Sequence, residues 1–561
     1  MRRKASLETI NLFARSRFWL AASILLATLF SLSGFGLSLG DYTIQDDARQ
    51  HVFWLQRLGD RNLFPNDLIA DYFSSVAPAG YKFIYWLANL LGVEPLAFNK
   101  ILPLLLGIGT SIYLFLVTIS IFPIPIAGFF ACLLLNQNLW LLDDLVSGTP
   151  RAFLYILFLG FVYHLLQKQL LPCILFIALQ GLFYPQTVLI SAGILCLNLI
   201  TQKDKNLYIA GLIAAIVTAS IYKLQTAEFS EVITLAQARQ LPEFAPGGRS
   251  TFFSYNPLQF WLVAKQSGWF PFEWQYFLMS AFGLFLPLIA KFPRQFPLVK
   301  QLNSHSRIIW QILLTSFAWY CLAHLLLFRL HLPSRYSQHT WRMAIALLAG
   351  MTITILLHEL IIKIASYSHL KQGLIIAIAI VVLLCPTYAV QAYPYRLGYI
   401  TAPSPELYQF LANQPKDITI ATLSSEADFI PSFAKRSVLT AREYSIPYHW
   451  DYYKQIRQRT RDLIEAQYSL DIEDIIQFSD RYDVDLWLLD RAAFVPEYLN
   501  KNGWLNQFTA EVRLANHNLS DGQPAILQKS DRCSIFRTAK LDLLDTKCLK
   551  FSQNKITRYE E

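Results

Sequence analysis

The sequence predicts an α-helical polytopic membrane protein, with about 11 transmembrane helices and a C-terminal extracytoplasmic α/β domain. The first observation behind this fold class is composition. Of the 561 residues, 54% are hydrophobic and 16% are charged, whereas soluble domains carry about 25% charged residues. The second is a change after Gln391, where long apolar stretches stop and short, polar-flanked elements follow.

The first apolar stretch, Phe18 to Leu39, predicts a retained transmembrane helix. It is uncharged, long enough to cross a bilayer, and has no small-residue cleavage site near its end. Basic residues before it favour a cytoplasmic N-terminus; they are Arg2, Arg3, Lys4, Arg15 and Arg17.

Further apolar stretches continue to residue 390, and each predicts a span. They cover 97–119, 122–141, 151–166, 170–184, 185–201, 207–225, 274–290, 307–328, 343–363 and 372–390. If the basic loop 291–306 is cytoplasmic, the external segments are 40–96, 142–150, 185, 226–273, 329–342 and the chain from 391 onward. Counting forward from the N-terminus gives the same result only if 81–93 is an interfacial helix that does not cross.

We therefore predict a transmembrane domain over 1–390, with external loops 40–96 and 226–273, and an external domain over 391–561. In the latter, short strands at 418–422, 438–439 and 484–489 flank a helix from about Tyr452 to Tyr468, which suggests a parallel sheet. Ser404 and Pro405 predict the start of another helix. Cys533 and Cys548 form a disulfide or remain two thiols; the spacing leaves both open.

The adjacent carboxylates Asp46 and Asp47 lie just beyond the first span, at the predicted outer surface. Adjacent carboxylates repel one another unless a proton or a cation relieves the repulsion. The residues that follow have helical spacing, which puts Asp47 and His51 on one face. The pair is a candidate general base or metal ligand; the structural alternative is an N-terminal helix cap.

A second acidic pair, Asp143 and Asp144, falls in the next predicted external loop. Carboxylates from two loops can together bind a divalent cation such as Mg²⁺ or Mn²⁺, which prefers oxygen ligands. The alternative is that both side chains are merely solvated at the end of a span.

A basic external segment runs from Arg329 to Arg342 and includes Arg335 and Tyr336. Three arginines on the predicted outer side depart from the positive-inside rule. Because arginine binds phosphate through two parallel hydrogen bonds, Arg335 and Arg342, with Tyr336 and the earlier Lys82, are candidates for binding a lipid phosphate. Contact with anionic headgroups is the alternative.

Several classes of protein are disfavoured because their motifs are missing. The sequence has no Walker A, HExxH or GxSxG pattern, and few charged residues within the predicted spans for proton-coupled transport. The net charge of +9 fits cytoplasmic loops and contact with membrane lipids, and no nucleic-acid-binding motif accompanies it.

This arrangement resembles the GT-C superfamily of membrane glycosyltransferases. Asp46-Asp47 match that family's acidic motif in the first external loop, and 47–58 and 81–93 match its interfacial helices. Asp143-Asp144 occupy a place similar to the metal-binding motif of the oligosaccharyltransferase branch. The sequence departs from that branch in lacking a WWDYG-type motif, and no third acidic ligand can be assigned among Glu228, Glu231 and Glu243.

The resemblance implies transfer of a sugar from a polyprenyl-phosphate-linked donor, with Asp46 or Asp47 catalytic and a divalent cation as a cofactor. Two alternatives remain open on the sequence. One is a transporter or flippase of lipid-linked sugars, which would share the arginines but need no acidic pair. The other is a non-catalytic membrane scaffold with an external binding domain.

Overall fold

The computed structural model describes residues 15–225, 229, 231–271 and 277–551. Of the residues named above, Arg2, Arg3, Lys4 and Glu228 lie outside these ranges. The described chain is mostly helical.

Each predicted span coincides with an apolar helix. The helices are Ser16–Ser38, Pro95–Ile121, Pro125–Leu139, Leu154–Leu166, Leu170–Phe183, Gln186–Thr201, Asn206–Gln225, Phe277–Ile289, Arg307–Leu325, Ser334–Ile364 and His369–Ala392. Within the described residues, five helices are long and apolar enough to cross a membrane, and six further apolar helices are shorter. The protein is thus a multi-pass membrane protein, while the count of eleven crossings stays a prediction.

Helix Pro125–Leu139 lies at the centre of the helical region. Nearly all of its residues are buried, and it packs against Ser16–Ser38, Pro95–Ile121 and Ser334–Ile364. Helix His369–Ala392 lies at the periphery, since only 6% of its apolar window is buried inside the protein. An exposed and uniformly apolar surface of this kind suits contact with lipid.

The first predicted external loop folds into short helices. The predicted helix 47–58 is shorter than expected: one α-helical turn, Ala48–His51, continues as a 3₁₀ helix, Phe53–Leu58. Helices Leu68–Val76 and Ala79–Leu90 follow. The second contains 12 residues, too few to span a bilayer, and exposes Phe83 and Trp86. The interfacial placement of 81–93 remains a prediction.

Residues beyond 398 contain a five-stranded sheet. Two strands, β1 (Thr43–Gln45) and β2 (Tyr399–Thr401), pair with each other outside this sheet. The sheet itself consists of β3 (Thr419–Ala421), β4 (Ser437–Val438), β5 (Leu486–Asp490), β6 (Ser534–Arg537) and β7 (Leu541–Asp545). The strand order is β4-β3-β5-β7-β6. The strands predicted at 418–422, 438–439 and 484–489 are present and parallel. The expectation of an entirely parallel sheet is wrong, because β6 and β7 form a hairpin that adds to β5 in antiparallel orientation.

Helices cover this sheet, and a disulfide joins Cys533 to Cys548. The principal helices are Pro405–Ala412, Trp450–Gln467, Ile472–Arg481, Pro496–Lys501, Thr509–Asp521, Ala525–Cys533 and Thr546–Phe551. Ser404 precedes the first of them as predicted but does not cap it, since its hydroxyl donates to Glu426.

The region beyond 398 is joined to the first loop. Strands β1 and β2 pair antiparallel, with Thr43 opposite Thr401. The Tyr72 ring stacks on Tyr452 at 3.7 Å between centroids. These contacts hold residues 43–72 against the polar C-terminal region, and Asp46-Asp47 lie directly at the junction.

Candidate functional site

Asp46 and Asp47 lie between β1 and helix Ala48–His51. Asp47 occupies the N-cap position, but its side chain makes no capping hydrogen bond. The capping alternative therefore does not account for the pair. Instead, each carboxylate contacts a different arginine.

Asp47 belongs to a cluster that we call the Arg151 centre, formed by Arg151, Asp47, Asp143 and Asp144. Arg151 Nη2 lies 2.6 Å from Asp47 Oδ2 and 3.5 Å from Asp143 Oδ1. Its Nε lies 3.2 Å from Asp144 Oδ1. The two acidic pairs predicted from sequence thus converge on one guanidinium group.

Asp144 is the most deeply buried carboxylate of this centre, with 6% of its side chain exposed. It accepts hydrogen bonds from Arg342 and from the Tyr155 hydroxyl, the latter at 3.0 Å, and His339 Nδ1 lies 3.3 Å away. Burial alone would raise the pKa of Asp144, but the guanidinium groups of Arg342 and Arg151 hold it well below its ordinary value. The group is a fixed negative charge.

Asp46 belongs to a second cluster, the Arg49 centre, formed by Arg49, Asp46, Asp428 and Glu443. Arg49 donates a hydrogen bond to Asp46, lies 2.9 Å from Glu443 Oε2 and lies 3.8 Å from Asp428 Oδ2. Its side chain is 5% exposed. Since Asp428 and Glu443 come from the C-terminal region, that region completes the surroundings of Asp46.

Glu443 is buried between two arginines. Arg249 Nη2 donates to its Oε1 at 3.0 Å, and Gln50 donates to the same oxygen. Burial raises the pKa of Glu443 to about 7, against the opposing effect of Arg249 and Arg49. This carboxyl therefore changes its charge near neutral pH.

Gly398 separates the two acidic pairs. Its carbonyl accepts the Asp46 N–H at 2.8 Å. Its φ of +72° is in the left-handed region, which non-glycine residues rarely adopt. A Cβ here would lie 3.6 Å from Asp46 Cβ and 3.9 Å from Asp143 Cβ, so the backbone at 398 fixes the spacing of both pairs.

Arg335 lies at the start of helix Ser334–Ile364. Among the described residues its side chain has no ion pair or hydrogen bond. It acts electrostatically on Tyr184, His339 and Tyr448. Tyr184 also interacts electrostatically with Arg151 and Asp144, so Arg335 and the Arg151 centre act on the same tyrosine.

The other basic and aromatic candidates have structural partners. Arg342 is buried and paired with Asp144. Tyr336 is 2% exposed and donates to the Leu330 carbonyl. Lys82 donates to the Ser74 carbonyl in the first loop. Their assignment to phosphate binding stays a prediction, as does that of Arg335, which differs from them in having no side-chain partner among the described residues.

His51, expected to share a face with Asp47, is half-buried and interacts electrostatically with it. Burial lowers the pKa of His51 to about 4, with Asp47 raising it and Arg151 lowering it. It is therefore neutral at physiological pH and adds no positive charge.

The donors around Asp143 and Asp144 do not fit a divalent cation. Both oxygens of Asp144 face guanidinium groups, and Asp143 faces Arg151 and Lys265. Within the described residues, no group of three or more His, Cys, Asp or Glu side chains is arranged to hold a metal ion. These carboxylates are therefore partners of arginine and lysine side chains and not ligands of a metal ion.

Sequence reasoning did not single out Arg151, Arg49 or Glu443. Arg151 follows Asp144 by seven residues and carried a usable signal: a cation at the start of an apolar helix next to an acidic pair. Glu443 is 394 residues from Arg49, and no local pattern could connect them.

The architecture is similar to the GT-C fold of membrane glycosyltransferases, which confirms the predicted resemblance at the level of the fold. No family model matches the sequence, and no curated protein does so significantly. Among solved structures, the chain is similar to oligosaccharyltransferase AglB from Archaeoglobus fulgidus in complex with an inhibitory peptide and a dolichol-phosphate. The TM-score is 0.53 at 10% identity, covering 89% of this chain and 72% of that one.

Two further structures extend the comparison. The apo form of the Archaeoglobus fulgidus oligosaccharyltransferase matches with a TM-score of 0.51 at 10% identity, over 88% of this chain and 72% of that chain. ArnT from Cupriavidus metallidurans bound to undecaprenyl phosphate matches with a TM-score of 0.44 at 11% identity, over 93% and 98%. At such identities the likeness concerns the fold alone.

Proposed function

We propose that this protein is an integral membrane glycosyltransferase. It transfers a sugar from a polyprenyl-phosphate-linked donor to an acceptor hydroxyl at the outer membrane face. The observation that carries the proposal is the convergence of both acidic pairs on arginine-centred clusters. Arg335, which has no side-chain partner within the described part of the chain, acts electrostatically on Tyr184 and His339 next to the Arg151 centre. The choice of donor is supported by AglB, whose structure was solved in complex with a dolichol-phosphate.

Asp46 is the general base in this proposal. Arg49 holds its Oδ1, while its Oδ2 has no partner among the described residues. Its side chain is 45% exposed, against 29% for Asp47. A base has to reach the proton that it removes, and Asp46 is the more accessible of the pair. Asp47 holds the Arg151 centre in place.

The reaction is an inverting displacement. The acceptor oxygen forms a bond to the anomeric carbon as its proton passes to Asp46. The bond between that carbon and the phosphate oxygen breaks, and its electron pair leaves with the lipid phosphate. Arg335, whose guanidinium group makes no hydrogen bond to the described residues, stabilises the charge that develops there.

The contacts support placing the site on one side of the membrane. Asp47 contacts Arg151, and Lys265 contacts Asp143. The Ser334 N–H donates to Gln266, and the Asp46 N–H donates to Gly398. Two apolar helices separate Asp47 from Arg151, and four separate Arg151 from Lys265. Two separate Gln266 from Ser334, and two more separate Ser334 from Gly398. Every number is even, as required if each helix crosses once.

The disulfide supports assigning that side to the exterior. Cys533 and Cys548 are bonded in the region that contributes Glu443 and Asp428 to the Arg49 centre. Disulfides persist in oxidising compartments and are rare in the cytosol. An extracytoplasmic C-terminal region and a cytoplasmic N-terminus follow within this proposal.

The test is transfer of a radiolabelled sugar from polyprenyl-phosphate-linked donors, in membranes containing matched amounts of each variant. We expect Asp46→Asn to lower the rate by roughly 10²- to 10⁴-fold, the usual contribution of a general base. Asp41→Asn is the matched control, since Asp41 is an exposed carboxylate of the same loop, and we expect it to leave the rate unchanged.

Two results would contradict the proposal. Equal rates of sugar transfer by wild type and Asp46→Asn would show that Asp46 is not the general base. Movement of the intact lipid-linked sugar between leaflets, without transfer and without sensitivity to Asp46→Asn, would indicate a flippase.

A further inference from the structure

Arg151 occupies the point at which three carboxylates meet. Its guanidinium lies 2.6 Å from Asp47, 3.2 Å from Asp144 and 3.5 Å from Asp143. Only 11% of the side chain is exposed. The three oxygens approach from two separate loops and face the same guanidinium group.

Three convergent carboxylates usually need a cation, and hard divalent ions are the common solution. A Mg²⁺ ion would take oxygen ligands at about 2.0–2.1 Å. An ion at such distances from these oxygens would overlap Nη2 and Nε of Arg151. The guanidinium and a metal ion therefore exclude one another at this point.

The charge of the centre is already balanced by side chains. Asp47, Asp143 and Asp144 contribute three negative charges, and Arg151, Arg342 and Lys265 contribute three positive charges within 4 Å. Because like charges at close range are relieved by nearby opposite charges, no further cation is required.

The local backbone holds Arg151 in this position. Pro150 begins a 3₁₀ helix, Pro150–Phe153, that contains Arg151. Just before it, Gly148 has a φ of +59°, and a Cβ there would lie 2.5 Å from Asn99 Nδ2. Asn99 donates to the Ser147 carbonyl at 2.8 Å and the Tyr85 hydroxyl donates to the Gly148 carbonyl at 3.2 Å.

We infer that Arg151 is the resident cation of this acidic centre, in the place where a divalent metal would otherwise sit, and that the protein works without such a metal. Arg151 is a positioning residue, acting through Asp47 and Asp143. The inference does not rest on the proposed transfer reaction, because metal binding can be measured without any activity.

The experiment measures Mn²⁺ binding to purified full-length protein in detergent by electron paramagnetic resonance, together with the Tm in EDTA and in MnCl₂. We expect wild type to bind no Mn²⁺ tightly and to unfold at the same temperature in both. Arg151→Ala should bind a single Mn²⁺ ion per chain and unfold at a higher temperature in MnCl₂ than in EDTA.

Three further variants make the result specific. Arg151→Lys keeps the positive charge and should bind no Mn²⁺. Arg57→Ala, which removes an arginine from its 2.7 Å pair with Asp71, is the control for arginine loss elsewhere. Combining Arg151→Ala with Asp143→Asn should abolish the Mn²⁺ binding gained by the single variant.

The inference is overturned if wild type binds one Mn²⁺ ion and Asp143→Asn or Asp144→Asn removes it. It is also overturned if Arg151→Ala folds yet binds no Mn²⁺. If that variant does not fold in either buffer, the wild-type measurement alone decides.

Discussion

The Arg151 centre and the Arg49 centre are built alike but charged differently. Each has an arginine among three carboxylates, one of which comes from the pair Asp46-Asp47. In the Arg151 centre, Arg342 and Lys265 bring the positive charges to three. In the Arg49 centre, Arg249 is the only further positively charged partner within 4 Å among the described residues, which leaves one carboxylate in excess.

The pKa values follow this difference. The pKa of Asp144, in the balanced centre, lies well below its ordinary value despite burial, because of Arg342 and Arg151. In the other centre, burial prevails and raises the pKa of Glu443 to about 7. Two adjacent aspartates thus connect a centre of fixed charge to one whose charge varies near neutral pH.

The largest expected effect comes from unbalancing the Arg151 centre. Arg342→Leu leaves Asp144 buried with one guanidinium fewer, and losing one partner of a buried pair costs about 3–5 kcal/mol. Chemical unfolding in detergent measures the change. A loss below about 1 kcal/mol, typical of exposed pairs, would show that Asp144 does not depend on Arg342.

The next effect concerns pH and the Arg49 centre. The pKa of Glu443 is about 7 in the folded protein and returns to its ordinary value on unfolding. Between these two pH values the folded state therefore binds one proton more than the unfolded state. The contribution of Glu443 to the free energy of unfolding therefore falls as pH rises through this window, by about 3–4 kcal/mol in total, at about 1.4 kcal/mol per pH unit.

Glu443→Gln should remove this slope, which unfolding between pH 5 and 8 would measure. Glu497→Gln is the control, since Glu497 is exposed in the same region and should leave the slope unchanged. If Glu443→Gln keeps the pH dependence of the wild-type free energy of unfolding, another titrating group is responsible for that dependence.

A smaller effect is expected where the two centres meet. Gly398→Ala forces a left-handed φ on a residue with a side chain, at a cost of about 1–3 kcal/mol, and should lower transfer by spreading the acidic pairs. Gly373→Ala is the control, because a Cβ there meets nothing within 4 Å. Equal Tm and transfer for the two variants would contradict the spacing role of Gly398.

The smallest effect belongs to the rim of the Arg151 centre. Lys265 is 75% exposed and lies 3.5 Å from Asp143, so Lys265→Ala should cost about 0–1 kcal/mol. Thermal unfolding at low and high salt tests this, with salt reducing the small difference. A loss as large as that of Arg342→Leu would make Lys265 a core member of the centre.

Local sequence patterns predicted the helices and both acidic pairs, because hydrophobic length and adjacent charges can be recognised within a few residues. The complete Arg49 centre could not be predicted, since Asp428 and Glu443 reach Arg49 only through the tertiary fold. The β6–β7 hairpin was missed for a different reason: in β7 the apolar residues Leu541 and Leu544 are three positions apart, a spacing that also fits a helix.

The pairing of Thr43 with Thr401, 358 residues apart, has a consequence for how the protein is made. Strand β1 is synthesised after the first apolar helix, whereas β2 is synthesised only after the last. Contacts so distant in sequence form late, since the intervening chain must first be ordered. A nascent chain that has not reached Gly398 therefore lacks this carbonyl, and the acidic site is completed only after the last apolar helix has been made.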